Sequence, residues 1–219
     1  MDIDLKIANI KDEFLDLYER NRDQICSYSP DFINNYRDQA IKSFRKLGLP
    51  DKKNEDFKYT DIKALFKEQV NHTFAPKRIE FDIEDIFTCD IPELDTEVIL
   101  VLNGFFFNPE TDLVHTKNGV IYGSMSAASK KFPELFKKHY AKYADTQKDS
   151  LTAMNTAFAQ DGVFVYVPEN AKTEKPLQII HLLLNNESLM VQHRNLFIVE
   201  ENSSAEIIIC DHTLSTDEY

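Results

Sequence analysis

The chain of 219 residues has no tryptophan, five glycines and three cysteines, and each scarcity closes off a class of protein. With so few glycines it carries neither GxGxxG nor GxxxxGK[ST], the loops that bring backbone N–H groups up to phosphates. GxSxG and HExxH are missing as well. Cys26, Cys89 and Cys210 lie far apart without a CxxC pair, so no disulfide framework is expected, and the odd count suits a reducing compartment. Positive charge is also short: 25 Lys+Arg against 37 Asp+Glu leave a net charge of −12. Such a surface repels phosphate backbones and anionic lipid, so neither a nucleic-acid nor a membrane partner is expected. The N-terminus MDIDLKIANIKDEF lacks an apolar signal core, and no apolar run approaches the ~20 residues that span a bilayer. A cytoplasmic location is expected.

What is present is core material. Hydrophobic residues make up 42% of the chain, with 16 Phe and 9 Tyr, enough to bury a sizeable interior at this length. Residues 9–47 read as two helices. Ile10, Phe14, Leu17, Tyr18 and Ile25 recur at helical spacing behind an Asn9 cap, and Ile33, Tyr36, Ala40, Ile41, Phe44 and Leu47 follow a break at YSPD. Ser29 is the expected cap of the second helix, with Pro30 at its first position, and Gly48-Leu49-Pro50 ends it. In NEDFKYTDIKALF, Thr60 is placed to cap a short helix, with Phe57 and Tyr59 as aromatic anchors ahead of it.

From Glu80 to Glu97 there are eight acidic residues and no Lys or Arg, which reads as a solvated linker. Residues 97–125 suggest three short strands, punctuated by Asn103-Gly104, Asn108-Pro109 and Asn118-Gly119. Helical spacing returns over 124–143, where Phe132, Leu135, Phe136 and Tyr140 face inward, and over 150–160 behind a Ser150 cap. Asp161-Gly162 then turns the chain into apolar runs at 163–167, 177–184, 196–199 and 205–210. Antiparallel hairpins and a parallel β-helix both fit these runs; pattern alone leans slightly to hairpins.

Cys210 and His212 are the candidates for metal chemistry. On a strand, i and i+2 share one face about 7 Å apart, and thiolate with imidazole suits zinc or iron. Two ligands without a third make a weak site, and Ala205, Ile207 and Ile209 form the better core face. His181 and His193 read as histidines satisfied by local hydrogen bonds, and Arg194 beside Asn195 as a turn anchor. No catalytic and no cofactor-binding residue is assigned.

NEDFKYTDIKALF is similar to the N-terminal signature of the SufB/SufD family of iron–sulfur cluster assembly proteins, with Phe57 where tryptophan is usual. VLNGFF and GVIYGSMSAA resemble the small strand layer that follows there. LTAMNTAFAQDGVFVYVPENAKTEKPLQIIHLL resembles the entry into the core, and QHRNLFIVEENSSAEIIICDHTLS its first rungs. The resemblance runs from Asn54 to the last residue and is closest to the SufD branch.

It implies an α+β fold: a helical N-terminal domain with a small β-sheet over 1–160, then the first rungs of a right-handed parallel β-helix over 161–219. It also implies a non-enzymatic scaffold subunit, working with SufB-like and SufC-like (ATPase) partners, with a homodimer as a further arrangement. No cofactor is implied in this portion; an iron–sulfur cluster belongs only to the assembled complex. The family's ATPase-docking helices and cluster-associated histidine and cysteine positions lie beyond this length, so none is carried over. The chain ends at LSTDEY without a cap for its last rung, so a truncated part of a longer protein is expected. The alternatives are a β-helix enzyme acting on polysaccharide, for which Glu206, Cys210 and His212 are the nearest approach to a groove, and a small metal-binding module.

Overall fold

The computed structural model describes residues 3–66, 70–76, 95–184 and 188–214. The acidic stretch falls mainly at 80–94, outside the described residues. Helices α1 (Ile3–Ser27) and α2 (Asp31–Leu47) pack with a third helix, α5 (Ser150–Phe158), around Phe14, Tyr18, Ile25, Ala40, Phe44, Ala157 and Phe158. The first helix begins well before Asn9, which therefore lies inside it rather than capping it. Pro30 is the N-cap residue of α2, and the Ser29 hydroxyl instead accepts from the Arg37 guanidinium at 2.9 Å. Gly48 ends α2 as expected, at φ +68° with its N–H on the Phe44 carbonyl.

NEDFKYTDIKALF forms two 3₁₀ turns, Glu55–Phe57 and Ile62–Phe66, rather than an α-helix. Asp61, not Thr60, accepts from the Ala64 N–H. Tyr59 is 92% exposed, so it is not buried against any of the described residues.

Residues 97–124 form four strands instead of three: β2 (Glu97–Leu102), β3 (Phe105–Phe107), β4 (Leu113–His115) and β5 (Ile121–Ser124). The later strands are β6 (Val163–Val167), β7 (Leu177–Leu184), β8 (Leu189–Met190), β9 (Leu196–Val199) and β10 (Ile207–Leu214), and β1 is Asn71–His72. One sheet runs β10-β7-β2-β3 and a second β4-β5-β6-β9, while β1 pairs with β8. Hairpins join β2 to β3 and β4 to β5. Among the described residues the strands after Gly162 pair with one another only in parallel, β6 with β9 and β7 with β10; β7 and β8 also pair in parallel with β2 and β1, while β6 pairs antiparallel with β5. Successive strands thus alternate between sheets rather than folding back as hairpins.

The two larger sheets face each other across Ile99, Val101, Val163, Val165, Val167, Leu177 and Ile179. This explains why LQIIHLLL shows no alternation. Leu177 and Ile179 point between the sheets, while Ile180, Leu182 and Leu184 fill a second cluster with Leu100 and Leu102. On the outer side of the second sheet, Phe164, Leu196 and Ile198 pack on α3 (Met125–Lys131) and α4 (Pro133–His139) through Met125, Ala128 and Phe136. Pro133 splits the expected single helix in two. It lacks the N–H an interior position needs and suits the first turn of α4. Ser124 caps α3 through the Ala127 N–H, and Asp149, not Ser150, caps α5 through Thr152.

Candidate functional site

The chemistry-bearing side chains gather where α5, the Asp161-Gly162 turn and the chain entering β9 meet. Cys210 and His212 stand to one side. In the β7–β10 register Cys210 lies opposite Ile180 and His212 opposite Leu182. Cys210 is half-buried and packs on the apolar cluster of Leu100, Leu102, Ile180 and Leu182, with the Gln178 amide 3.8 Å from its sulfur. The shared face expected from their spacing is therefore apolar. Among the described residues, no three His, Cys, Asp or Glu side chains are arranged to hold a metal ion. Of the expected core face, Ala205 and Ile207 pack inward. Ile209 is 49% exposed, since no described strand lies beyond β10.

On the other face of the same strands, His181 faces Asp211, its register partner, with Nδ1 3.0 Å from the carboxylate. Its Nε2 lies 3.4 Å from the Asn195 amide nitrogen. The His193 ring sits 3.9 Å from that of His181, centroid to centroid, tilted by 40°. Burial, then the neighbouring His181, pushes the His193 imidazole down to about 4. The sign follows from linkage: the folded chain resists a proton that the unfolded chain accepts at the ordinary histidine value of 6.5. This contribution to stability is complete above 6.5 and is withdrawn as pH falls from there toward 4.

The segment before β9 is fastened by polar contacts. Asn155 of α5 donates to the His193 carbonyl at 2.9 Å and accepts from Arg194 Nε at 3.0 Å. The Arg194 guanidinium also reaches Thr156 Oγ1 at 2.6 Å and lies over the Tyr140 ring. Asn195 Oδ1 accepts from the Val163 N–H at 2.9 Å. Arg194 thus anchors the segment before β9 to α5, although residues 191–195 form no turn there.

Asp161 joins the elements around this point, a role its sequence as a mere turn residue does not reveal. Its Oδ1 accepts from Ser124 Oγ and the Ser126 N–H, both at 2.9 Å, and its Oδ2 from the Phe106 N–H at 3.1 Å. Its carbonyl accepts from the Arg194 N–H at 3.0 Å. Burial raises the carboxyl above its usual range, and the surrounding donors counter that effect. Asp161→Asn places an amide NH₂ against donors and is expected to cost on the order of 2 kcal/mol in urea unfolding. Unchanged stability would show that these donors do not depend on the second carboxylate oxygen.

Asp161 and its side-chain donors lie inside the region that comparison with known proteins matches, and Arg194 lies beyond it. Residues 8–179 match the family described as SufBD protein N-terminal region. An iron–sulfur cluster assembly SufBD family protein of Staphylococcus saprophyticus is 25% identical over 188 residues, covering 82% of this chain and 40% of the relative. Relatives of the same description from Staphylococcus aureus (strain MRSA252) and Staphylococcus haemolyticus are 26% and 24% identical, with the same coverage. The chain spans 40% of the length of these curated relatives. No helix among the described residues is long and apolar enough to cross a membrane. Matched over residues 8–179, more than half its length, the chain belongs to the SufBD family through that family's N-terminal region.

Proposed function

We propose that this chain is the N-terminal portion of a SufD-type scaffold subunit that serves iron–sulfur cluster assembly without catalysing a reaction itself. Family membership supports the role in cluster assembly. The scaffold reading is carried by one observation: among the described residues the strands after Gly162 pair with one another only in parallel, and β8, β9 and β10 each lie outermost in their sheets. Stacking further strands on those three edges would extend the pattern as a right-handed parallel β-helix. Val199 and Ile209, 44% and 49% exposed on two of the edge strands, are the apolar side chains such strands would cover.

In this reading the helical layer and the first strands set the base of a rigid rod. The rod holds a SufB-like subunit and a SufC-like ATPase in a fixed relation in the cytoplasm, and any cluster forms only in that complex. The Asp161 joint and the Arg194 anchors keep base and rod in one geometry, which suits a subunit that acts by position.

The test uses the full-length gene product under native affinity purification, alongside iron–sulfur enzyme activity in a deletion strain. SufB-like and SufC-like subunits are expected in the eluate, with a loss of iron–sulfur enzyme activity that the intact gene restores. Purification without either subunit, together with normal iron–sulfur enzyme activity after deletion, would overturn the proposal.

A further inference from the structure

We propose that His181 and His193 form an acid-released latch that fastens residues 191–195, and with them the start of β9, to β7 and α5. The inference stands apart from the scaffold reading and rests on the hydrogen-bond pattern around two stacked imidazoles. Asn195 has already committed its carbonyl oxygen to the Val163 N–H, so it turns its NH₂ toward His181 Nε2. That nitrogen therefore carries the lone pair, and the His181 proton sits on Nδ1, directed to Asp211. A proton on His193 would place a cation against the imidazole 3.9 Å away in a half-buried position. The closed arrangement is thus built for a neutral His193 ring.

The charges around the pair relieve this conflict only in part. Asp211 of β10 is bonded to His181 and favours charge on His193, but burial and the neighbouring His181 outweigh it. Cys210 and His212 lie on the opposite face of β10. Arg194 adds a further cation, with its guanidinium directed to Asn155, Thr156 and Tyr140. Helix α5 and strand β9 carry no ionisable side chain, and β7 carries only His181. Tyr166, the one ionisable side chain of β6, belongs to the outer cluster beside α3 and α4. Opening the segment to water is the available escape. The bonds holding it, through Asn155, Arg194 and Asn195, are ones water can replace. The aromatic core of α1, α2 and α5 offers water no such substitution.

Hydrogen exchange with mass spectrometry on the 219-residue chain tests the latch, with labelling times scaled to the intrinsic exchange rate at each pH. Opening takes up a proton at the ordinary histidine value, so moving from about pH 7.5 to about pH 5.5 is expected to lower protection of residues 191–199 about tenfold. The α2–α5 core should hold its protection over the same range. His193→Phe keeps a flat ring against His181 without a titrating group and is expected to remove the pH response; His193→Leu serves if the Phe variant does not fold. Three results would each overturn the proposal: equal wild-type protection at both pH values, a uniform loss across the whole chain, or a variant that responds as the wild type does.

Discussion

Gly162→Ala is expected to cost more than about 4 kcal/mol, at the exceptional end for a single substitution. Two independent obstacles meet at this residue. Its φ is +149°, a conformation that side-chain-bearing residues rarely adopt. A Cβ there would also stand 2.1 Å from the Arg194 carbonyl oxygen and 2.7 Å from its carbon. Both atoms are backbone in a segment held by Asn155 and by the Asp161 carbonyl, so the obstruction cannot swing away. Against a typical total stability of 5–15 kcal/mol, most of the folded population is expected to be lost. Circular dichroism melts with urea titration provide the measurement. Gly119→Ala is the control: its Cβ meets only the Pro168 ring, at 3.2 Å, and its φ of +86° makes strain its main cost, about 1 kcal/mol. Similar losses for the two variants would show that the approach of Arg194 to Gly162 carries no special weight.

Arg37→Ala is expected to be nearly as damaging, at roughly 3–5 kcal/mol. Arg37 is 0% exposed, on the face of α2 that meets α5. It donates to the Ala157 carbonyl at 3.1 Å and to Ser29 Oγ at 2.9 Å, and among the described residues it makes no ion pair. The Ala157 carbonyl belongs to the last turn of α5, where a cation favours the negative end of the helix and satisfies an orphan acceptor. Truncation removes this bond and leaves a cavity the size of an arginine side chain. Arg37→Met fills much of that volume without a buried charge and is expected to restore at least half of the loss, because an apolar replacement escapes the desolvation cost. If Met proves as destabilising as Ala in urea unfolding, the hydrogen bonds outweigh the packing.

These two residues show where sequence reasoning reaches its limit. Gly162 stands out in the chain as half of an Asp-Gly turn, but nothing local says that Arg194 will come within van der Waals reach. Arg37 sits one helical turn from Ile33 and Ala40, on the buried stripe, yet a charged residue in that pattern reads as a wet flank. His181 shows the same limit: it was legible as a histidine satisfied by hydrogen bonds, but its partners Asp211 and Asn195 are distant in sequence. Asp211 lies between the two residues that metal-ligand spacing singled out, and a register one residue different would have brought one of them opposite His181 instead.

The sequence by itself determined the elements whose cause is local. The apolar stripes of α1 and α2, the Gly48 stop, the Asn103-Gly104 turn and the four apolar runs after Gly162 all lie close to their expected places. Three caps shifted by one residue, because neighbouring residues compete for the same free N–H groups, whereas Asn9 fell inside α1 and Pro133, lacking an N–H, split one helix in two. Tertiary structure decided the pairing. LQIIHLLL could have turned back as a hairpin at Asn185, but burial on both faces and partners on both edges gave it β2 and β10 in parallel. A strand's partners depend on distant backbone donors and on a register that every apolar side chain in both sheets must satisfy together. No window of the sequence contains that information, and the junction of Asp161, Arg194, His181 and His193 exists only because the pairing was settled.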